Sequence, residues 1–443
     1  MKPITVAIQL SSTKELQNTV WIPSHIVRQQ QLSNHTNVYV GKQKAKAKVV
    51  VFESTEDMVY FSSSLFTMLR LPINSLSLQM KIINEEIFFG PVIAVVTSLT
   101  KEGSIPPSLS DFCEEMHDYC REIGGLFFVT TFKHWHSQEC FGYVMKDGDF
   151  EYDHVPLPNV IHNRVHSRKK ENGAAFEKFE EDILSLGIPF FNQHFLDKWF
   201  VHEHLSQYEH LTPFLPMTYY LKNKEDLMNA LSAHRSLFLK PINGSQGKKI
   251  FKIQERSGTY LVDCAETGER EIYDDVTKLY KSLYPKFKKR NYLLQETLSL
   301  KELDNRPFDF RILCHRKQED KWGITSMVAR VSKESGFVSN LSQGGDLMPI
   351  KDLLQTFYSH REMKHLLELL RELSLEICHC LCAQNEGLYG EFGLDLALDE
   401  DGSLWLIEVN TKPSKRFFLT ENGQTRPSTK ALVRYCCRLS GFE

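Results

Sequence analysis

The sequence predicts an α+β protein that changes style along its length, and three observations predict it. Residues 1–85 carry short apolar runs separated by turns, the pattern of a β-rich, barrel-like domain. Residues 86–195 alternate apolar strands with a helix-period segment, the pattern of a small α/β domain. Residues 196–443 alternate helices with hairpins, and the polar motifs gather there.

The runs of the first segment are "ITVAIQL", "VWIPSHIV", "NVYVG", "KVVVFES" and "MVYFSS", none of which carries a motif with chemistry. The second begins with "GPVIAVVTS", a β-run followed by a loop. "SLSDFCEEMHDYCREIGG" reads as a helix, capped by Ser108 or Ser110 and ended by Gly124 and Gly125. "LFFVTTF" is a strand, "CFGYVMKDGDFEYDHVPLP" a hairpin turning at Lys146 to Gly148, and "NVIHNRV" a further strand.

In the third segment, "SLFLKPINGSQGKKIFKIQ" is strand, loop and strand. Gly244 and Gly247 flank Ser245 and Gln246, and glycines let backbone N–H groups converge on an anion. Lys240 ends the incoming strand within reach of the same anion. The spacing is not that of a P-loop, and a solvated glycine turn is the plain alternative. "NYLLQETLSL" is an apolar strand ending in Gln295, Glu296, Thr297 and Leu298; its backbone edge can pair with an adenine ring, on which Leu298 can pack. Arg311 in "PFDFRILCH" and Arg330 in "SMVARVS" sit inside apolar runs. A buried lone charge is costly, so each needs a carboxylate or a phosphate partner.

"EFGLDLALDEDGSLWLIEVN" is two apolar strands joined by Asp399 to Gly402, a hairpin signal. With Leu398 facing Ser403, Asp395 faces Leu406, and Glu408 is its diagonal neighbour at ~7–8 Å. Alternation then places Asp395, Leu406, Glu408 and Asn410 on one sheet face. Two half-buried carboxylates repel, and a divalent cation removes that penalty. Two acids and an amide suit Mg²⁺, though solvated residues on an open sheet face have the same pattern. "CHCLC", Cys378 to Cys382, lies in a helical repeat that puts Cys378 and Cys382 near the apolar face and turns Cys380 away; its thiols, like Cys436 and Cys437, read as buried and metal-free.

With 443 residues, 42% hydrophobic and 25% charged, the chain has the balance of a globular protein, and its net charge of -3 argues against a general nucleic-acid binder. The basic stretches "HNRVHSRKKENG" and "KFKKRN" read as solvated faces, the first placed to line a cleft. No apolar run approaches the ~18–20 residues of a membrane span. The N-terminal apolar patch is too short for a secretory signal, so synthesis in the cytoplasm is expected.

Taken in order, these pieces resemble the ATP-grasp superfamily, from about Asp197 to Thr420. "DKWFVHEHLSQYEHLTPFLPMT" is similar to its opening lysine, helix and P-x-T strand, "FLKPINGSQGKKI" to its second lysine and phosphate-covering loop, and "LLQETL" to its adenine hinge. "DFRILCHR", "ARVS" and "FVSNLSQGG" resemble the D-x-R, later arginine and N-x-x-x-GG of its glutamate-ligase branch. The spacing of Asp395, Glu408 and Asn410 resembles the metal ligands of the D-alanine–D-alanine ligase branch. Within the superfamily the chain looks most like the YheC/YheD endospore-coat-associated proteins of bacilli. One departure stands out: where many ligases follow E-x-N with a small-residue turn, this chain has Lys412, Pro413 and Lys415. Substrate identity is therefore not carried over.

The resemblance implies an ATP-grasp fold of two α+β subdomains and a set of roles. Lys198 and Lys240 would hold the α- and β-phosphates, with Ser245 and Gly247 covering them. Gln295, Glu296 and Leu298 would frame adenine, with Glu302 or Asp304 on the ribose. Asp395, Glu408 and Asn410 would bind Mg²⁺ (or Mn²⁺). Arg311, Arg330 and Asn340 would serve the γ-phosphate or a developing acyl phosphate. The implied activity is an ATP-dependent carboxylate–amine ligase using an unidentified carboxylate and amine, associated with spore coat proteins, with no nucleic-acid partner and no membrane span. Two alternatives stay open. One is a kinase on a hydroxyl acceptor with His315 as a candidate base, and the other is an ATP-binding structural component of the spore coat.

Overall fold

In "QKAKAKVVVF" the lysines at 44, 46 and 48 face solvent while Ala45, Ala47 and Val49 are buried, so one face of this strand lines an enclosed core. The same alternation shapes a closed barrel of β1 (Ile4–Leu10), β2 (Thr19–Pro23), β3 (His35–Val40), β4 (Gln43–Phe52), β5 (Met58–Phe61), β6 (Ser75–Ile83) and β7 (Glu86–Gly90), in the order β1-β5-β2-β4-β3-β7-β6. Two short helices, α1 (Ser24–Val27) and α2 (Ser63–Met68), interrupt it. Closure leaves no open sheet edge. The computed structural model describes residues 3–12, 17–27, 32–136, 139–244, 249–318, 321–332, 345–383, 387–415 and 424–443.

The second sheet contains β8 (Val92–Val96), β9 (Leu126–Thr130), β10 (Trp135–His136), β11 (Glu139–Lys146), β12 (Asp149–Val155), β13 (Val160–Asn163) and β14 (Phe190–Phe191). Its order is β10-β11-β9-β8-β13-β14, with β12 on β11. β9, β8, β13 and β14 are parallel, and every residue of "VIAVV" and "LFFVT" is buried, as strands covered on both faces require. Asp147 and Gly148, both at positive φ, form the tight β11–β12 turn. Helix α3 (Ser110–Glu122) covers one face. The serine cap expected for α3 is not made: Leu109 occupies the cap position, and the Ser110 hydroxyl donates to Glu114 at 3.1 Å from inside the first turn. Gly124, at φ +75°, ends the helix. Helices α4 (Arg168–Glu171) and α5 (Ala174–Ser185) lie between β13 and β14 in sequence.

Two further sheets follow. After α6 (Lys198–Leu205) come β15 (Thr218–Leu221), α7 (Lys224–Ala233), β16 (Ser236–Pro241), β17 (Phe251–Arg256), β18 (Thr259–Cys264), β19 (Arg270–Tyr273), α8 (Val276–Phe287) and β20 (Tyr292–Glu296). The strands form an antiparallel sheet ordered β15-β20-β16-β17-β18-β19, with α7 and α8 sharing its core. The last sheet, ordered β24-β23-β22-β25-β26, is built from β22 (Arg306–Gln318), β23 (Lys321–Val331), β24 (Asp346–Pro349), β25 (Glu391–Leu398) and β26 (Leu404–Asn410), with β21 (Glu302–Leu303) on β22. Helices α9 (Ile350–Gln355) and α10 (His360–Ala383) share a core with it and with α6.

Along α10, Met363, Leu366, Leu370, Leu373, Ile377 and Leu381 recur every three or four residues and are buried. Cys378 is buried with them, but Cys380 does not turn outward as expected. It is buried as well, because α10 is covered on a second side by α6. Helix α11 (Pro427–Leu439) packs on β22 and β23 of the last sheet and on α3, where Leu432, Val433 and Tyr435 complete the core of the second sheet. No helix among the described residues is long and apolar enough to cross a membrane.

Candidate active site

Alternation and register place five charged residues on one face of the last sheet, in two adjacent rows. Asp309 pairs with Arg330, Arg311 with Asp395, and Asp395 with Glu408. Arg311 Nε and Nη2 donate to the Asp395 carboxylate at 2.5 and 2.9 Å, and Arg330 Nη2 lies 3.0 Å from the same carboxylate. Arg330 also donates two hydrogen bonds to Asp309. Beyond Glu408 the second row ends on Lys198, in the first turn of α6. Its Nζ is 2.8 Å from Glu408 Oε1 and 2.7 Å from the Gly244 carbonyl oxygen. Burial pushes Asp395 upward, but Arg311 and Arg330 outweigh it and hold the carboxyl below its ordinary range.

The hairpin carries its carboxylates in a register other than the expected one. Leu398 pairs with Leu404, not Ser403, because the Asp399 carboxylate accepts from the Ser403 N–H and the Trp405 indole and holds a longer turn. Leu396 then pairs with Leu406, and a β-bulge shifts the ladder so that Asp395 stands directly opposite Glu408. Leu406 consequently belongs to the buried core with Leu396, not to the charged face, while Ile407 and Glu408 are both half-buried. Asn410 lies one row further on, opposite Gly393.

Between the two last sheets is a solvent-open cleft, lined among others by Lys198, His202, Thr218, Lys240, Gln295, Ile407 and Glu408. Lys240 Nζ donates to Gln295 Oε1 at 2.6 Å, and Gln295 Nε2 donates to Thr218 Oγ1 at 3.0 Å. Burial and the nearby Lys198 lower the Lys240 ammonium to about 8, against a smaller opposing pull from Glu408. The structure therefore brings Lys198, Lys240, Gln295 and Glu408 together and sets Arg311, Arg330 and Asp395 in the adjoining rows. Glu296, Leu298 and Glu302 do not line the cleft: the Glu296 carboxylate accepts from the Met217 N–H at 2.8 Å, Leu298 is half-buried beyond β20, and Glu302 is exposed on β21. Ser245, Gly247 and Asn340 lie outside the described residues.

A second charged cluster adjoins this site and was not foreseen. Glu391, four residues before Asp395 on β25, is fully buried and receives Arg164 Nη1 at 2.9 Å, with Lys415 also bonded to it. His162 and His315 approach the same carboxylate at 3.2 and 3.4 Å. Arg164 Nη2 donates to the Pro413 carbonyl at 2.8 Å, and Lys412 pairs with Glu171. These bonds fasten the loop after Asn410 to the C-terminal end of β13, which is where ligand-binding loops of parallel sheets lie. Arg168 is close enough for Asp197, Glu171 and Glu408 to oppose the effect of its burial. Asp309 was readable two residues from Arg311 in "DFR"; Glu391, in an apolar run far from its cationic partners in sequence, carried no such signal. His315 is 1% exposed and bonded to Thr325 at 2.8 Å, so it has no access to an acceptor.

A profile of the "YheC/D like ATP-grasp" family matches residues 187–439. The endospore coat-associated protein YheD of Bacillus subtilis is 26% identical over 430 residues, spanning 95% of this chain and 93% of the relative. The endospore coat-associated protein YheC of the same organism is 24% identical over 275 residues, spanning 60% and 73%. Among solved structures, the VanG D-Ala:D-Ser ligase from Enterococcus faecalis aligns at 14% identity with a TM-score of 0.48, covering 80% of this chain and 99% of that one.

Proposed function

Because this chain belongs to the YheC/D-like ATP-grasp family, we propose that it is an ATP- and Mg²⁺-dependent carboxylate–amine ligase that works through an acyl phosphate and serves the spore coat. The supporting observation is the chain of paired charges from Arg330 to Lys198, facing the Lys240–Gln295–Thr218 edge of the other sheet across the cleft. The coat association rests on the names of YheD and YheC.

In this reading ATP lies in the cleft with its base against β20 and its phosphates toward Lys198 and Lys240. Lys198 spans both sheets through Gly244 and Glu408, so it can trade those bonds for phosphate oxygens. Arg311 and Arg330 are fixed by Asp309 and Asp395, which holds two guanidinium groups where charge spreads during phosphoryl transfer. A substrate carboxylate oxygen attacks the γ-phosphorus as its bond to the ADP oxygen breaks. An amine nitrogen then attacks the acyl carbon, phosphate leaves, and the amine loses a proton. The protein supplies positioning and charge rather than a nucleophile.

Glu408 and Asn410 are oxygen donors that fit Mg²⁺, and Asp395 would join them by sharing a carboxylate that also holds Arg311 and Arg330. Glu408 lines the cleft, and its neutralisation by Lys198 is of a kind that a cation can replace. Bound there, the ion would screen the phosphates and polarise the γ-phosphoryl group. The kinase alternative loses its candidate base with the burial of His315.

The test supplies ATP, Mg²⁺ and panels of ¹⁸O-labelled carboxylates with amines. The expected result is ADP release with one ¹⁸O passing into phosphate, abolished in Glu408→Gln and strongly reduced in Arg330→Met. Transfer of phosphate to a hydroxyl, or unchanged turnover in Glu408→Gln, overturns the proposal.

A further inference from the structure

A different ligand set lies outside the cleft. Glu376 and Cys380 are four residues apart on α10, so one helical turn puts both side chains on one side. The turn after α6 brings His210 against them. His210 Nε2 is 3.0 Å from Glu376 Oε1, Cys380 Sγ is 3.4 Å from the same oxygen, and the three atoms lie within 4.8 Å of one another. Ligands ~2.0–2.3 Å from one tetrahedral zinc ion stand roughly 3.3–3.6 Å apart, so small side-chain movements suffice to close around an ion. The plain alternative is a surface His–Glu contact, worth little by itself. It gives no reason for the third member, a thiol whose residue is 2% exposed yet which points at that carboxylate.

We propose that His210, Glu376 and Cys380 form a zinc site that staples the turn after α6 to α10. Imidazole nitrogen, thiolate sulfur and carboxylate oxygen are a zinc donor set, and water completes the four ligands. The His210 and Glu376 side chains are 57% and 43% exposed, which gives the ion an access path. His204 Nε2, 3.1 Å from the Cys380 carbonyl oxygen, already ties α6 to this turn of α10. On binding, the Cys380 thiol gives its proton to solvent and its sulfur to the metal, so the bound ion and its two anionic ligands are neutral together. Because the thiol must lose its proton to bind, affinity falls as the pH falls. The ion would fix the far end of the helix that begins with Lys198. The site stands whether or not the cleft takes ATP.

Metal-stripped full-length protein titrated with Co²⁺ tests the proposal. One equivalent is expected to give tetrahedral d–d bands and a thiolate charge-transfer band, both lost on adding Zn²⁺. Cys380→Ser should abolish the charge-transfer band. His210→Ala, at an exposed position that leaves the fold intact, should weaken Zn²⁺ binding by more than the ~10–100-fold cost of losing an outer-shell partner. A weak octahedral spectrum, meaning an adventitious surface ion only, or wild-type affinity in His210→Ala, overturns it.

Discussion

Glu391→Gln removes one charge and almost no volume, which makes it a sharp probe of the cluster between the second and last sheets. Glu391 and Arg164 are both 0% exposed, and Lys415 is 3% exposed. The variant leaves the two cations without the carboxylate they share. Arg164 cannot release its proton, so its loss has the scale of a broken buried pair, about 3–5 kcal/mol. For a cooperative unit of a few hundred residues, ~2–4 °C per kcal/mol makes this a drop of roughly 6–20 °C in melting temperature. Lys415 has an escape. Burial already holds it at about 8 despite Glu391, and without Glu391 it falls further. A lysine depressed in the folded state makes stability rise with pH, from its folded value up to the unfolded ~10.4. In the variant that rise begins at a lower pH, so the deficit relative to wild type is largest in mildly acid solution and shrinks as the pH approaches 8. Melts followed by near-ultraviolet circular dichroism from pH 5.5 to 9 measure this, with Lys415→Met and the double variant closing a cycle. The double variant should be more stable than the sum of the singles by at least ~1 kcal/mol. A drop below ~2 °C, or strict additivity, would refute the reasoning.

Gly393 faces Pro413, and a Cβ there would lie 2.7 Å from the Pro413 Cβ; Gly393→Ala should cost ~1–3 kcal/mol and weaken nucleotide-induced thermal stabilisation by displacing the loop after Asn410. Lys240, lowered to about 8, should take up a proton when phosphate binds. Calorimetry near pH 8 in buffers of different ionisation enthalpy should detect that uptake, and ATP affinity should fall as the pH rises above 8; identical heats in all buffers would count against it. Deleting Ile407 removes the bulge residue and leaves Leu406 opposite Leu396 and Glu408 opposite Asp395 in a regular ladder, so Glu408 should stay on the charged face and nucleotide binding should persist; loss of binding with a wild-type melt would show that the bulge itself shapes the site. Leu406→Ala should cost ~2–5 kcal/mol in chemical denaturation, as a core truncation rather than a change to the charged face.

The sequence made most of the strands legible because alternation and apolar runs are local properties. It also made the cleft's charged residues legible, since Lys198, Lys240, Gln295 and Glu408 each stand at the start or end of an apolar element. Partners were harder to read. The expectation that arginines inside strands need a carboxylate or a phosphate holds as a rule of burial, but that Arg311 and Arg330 share Asp395 depends on register across three strands. The hairpin shows why register was missed: one carboxylate in the turn and one inserted residue decide which side chains meet, and neither alters the hydrophobic pattern. Glu391 was invisible for a similar reason, because Arg164 comes from more than two hundred positions earlier and Lys415 from the loop that follows β26.

The docking of α11 on α3 sets a timetable for biosynthesis. Ile93, Val95 and Phe112 emerge from the ribosome more than three hundred residues before Leu432 and Val433, which wall the same core. At ~5–20 residues per second, the interval is roughly a quarter of a minute to a minute. Through that wait the nascent chain presents an uncovered oily layer, so a stalled chain ending before Pro427 should be captured by holdases that ignore the finished protein.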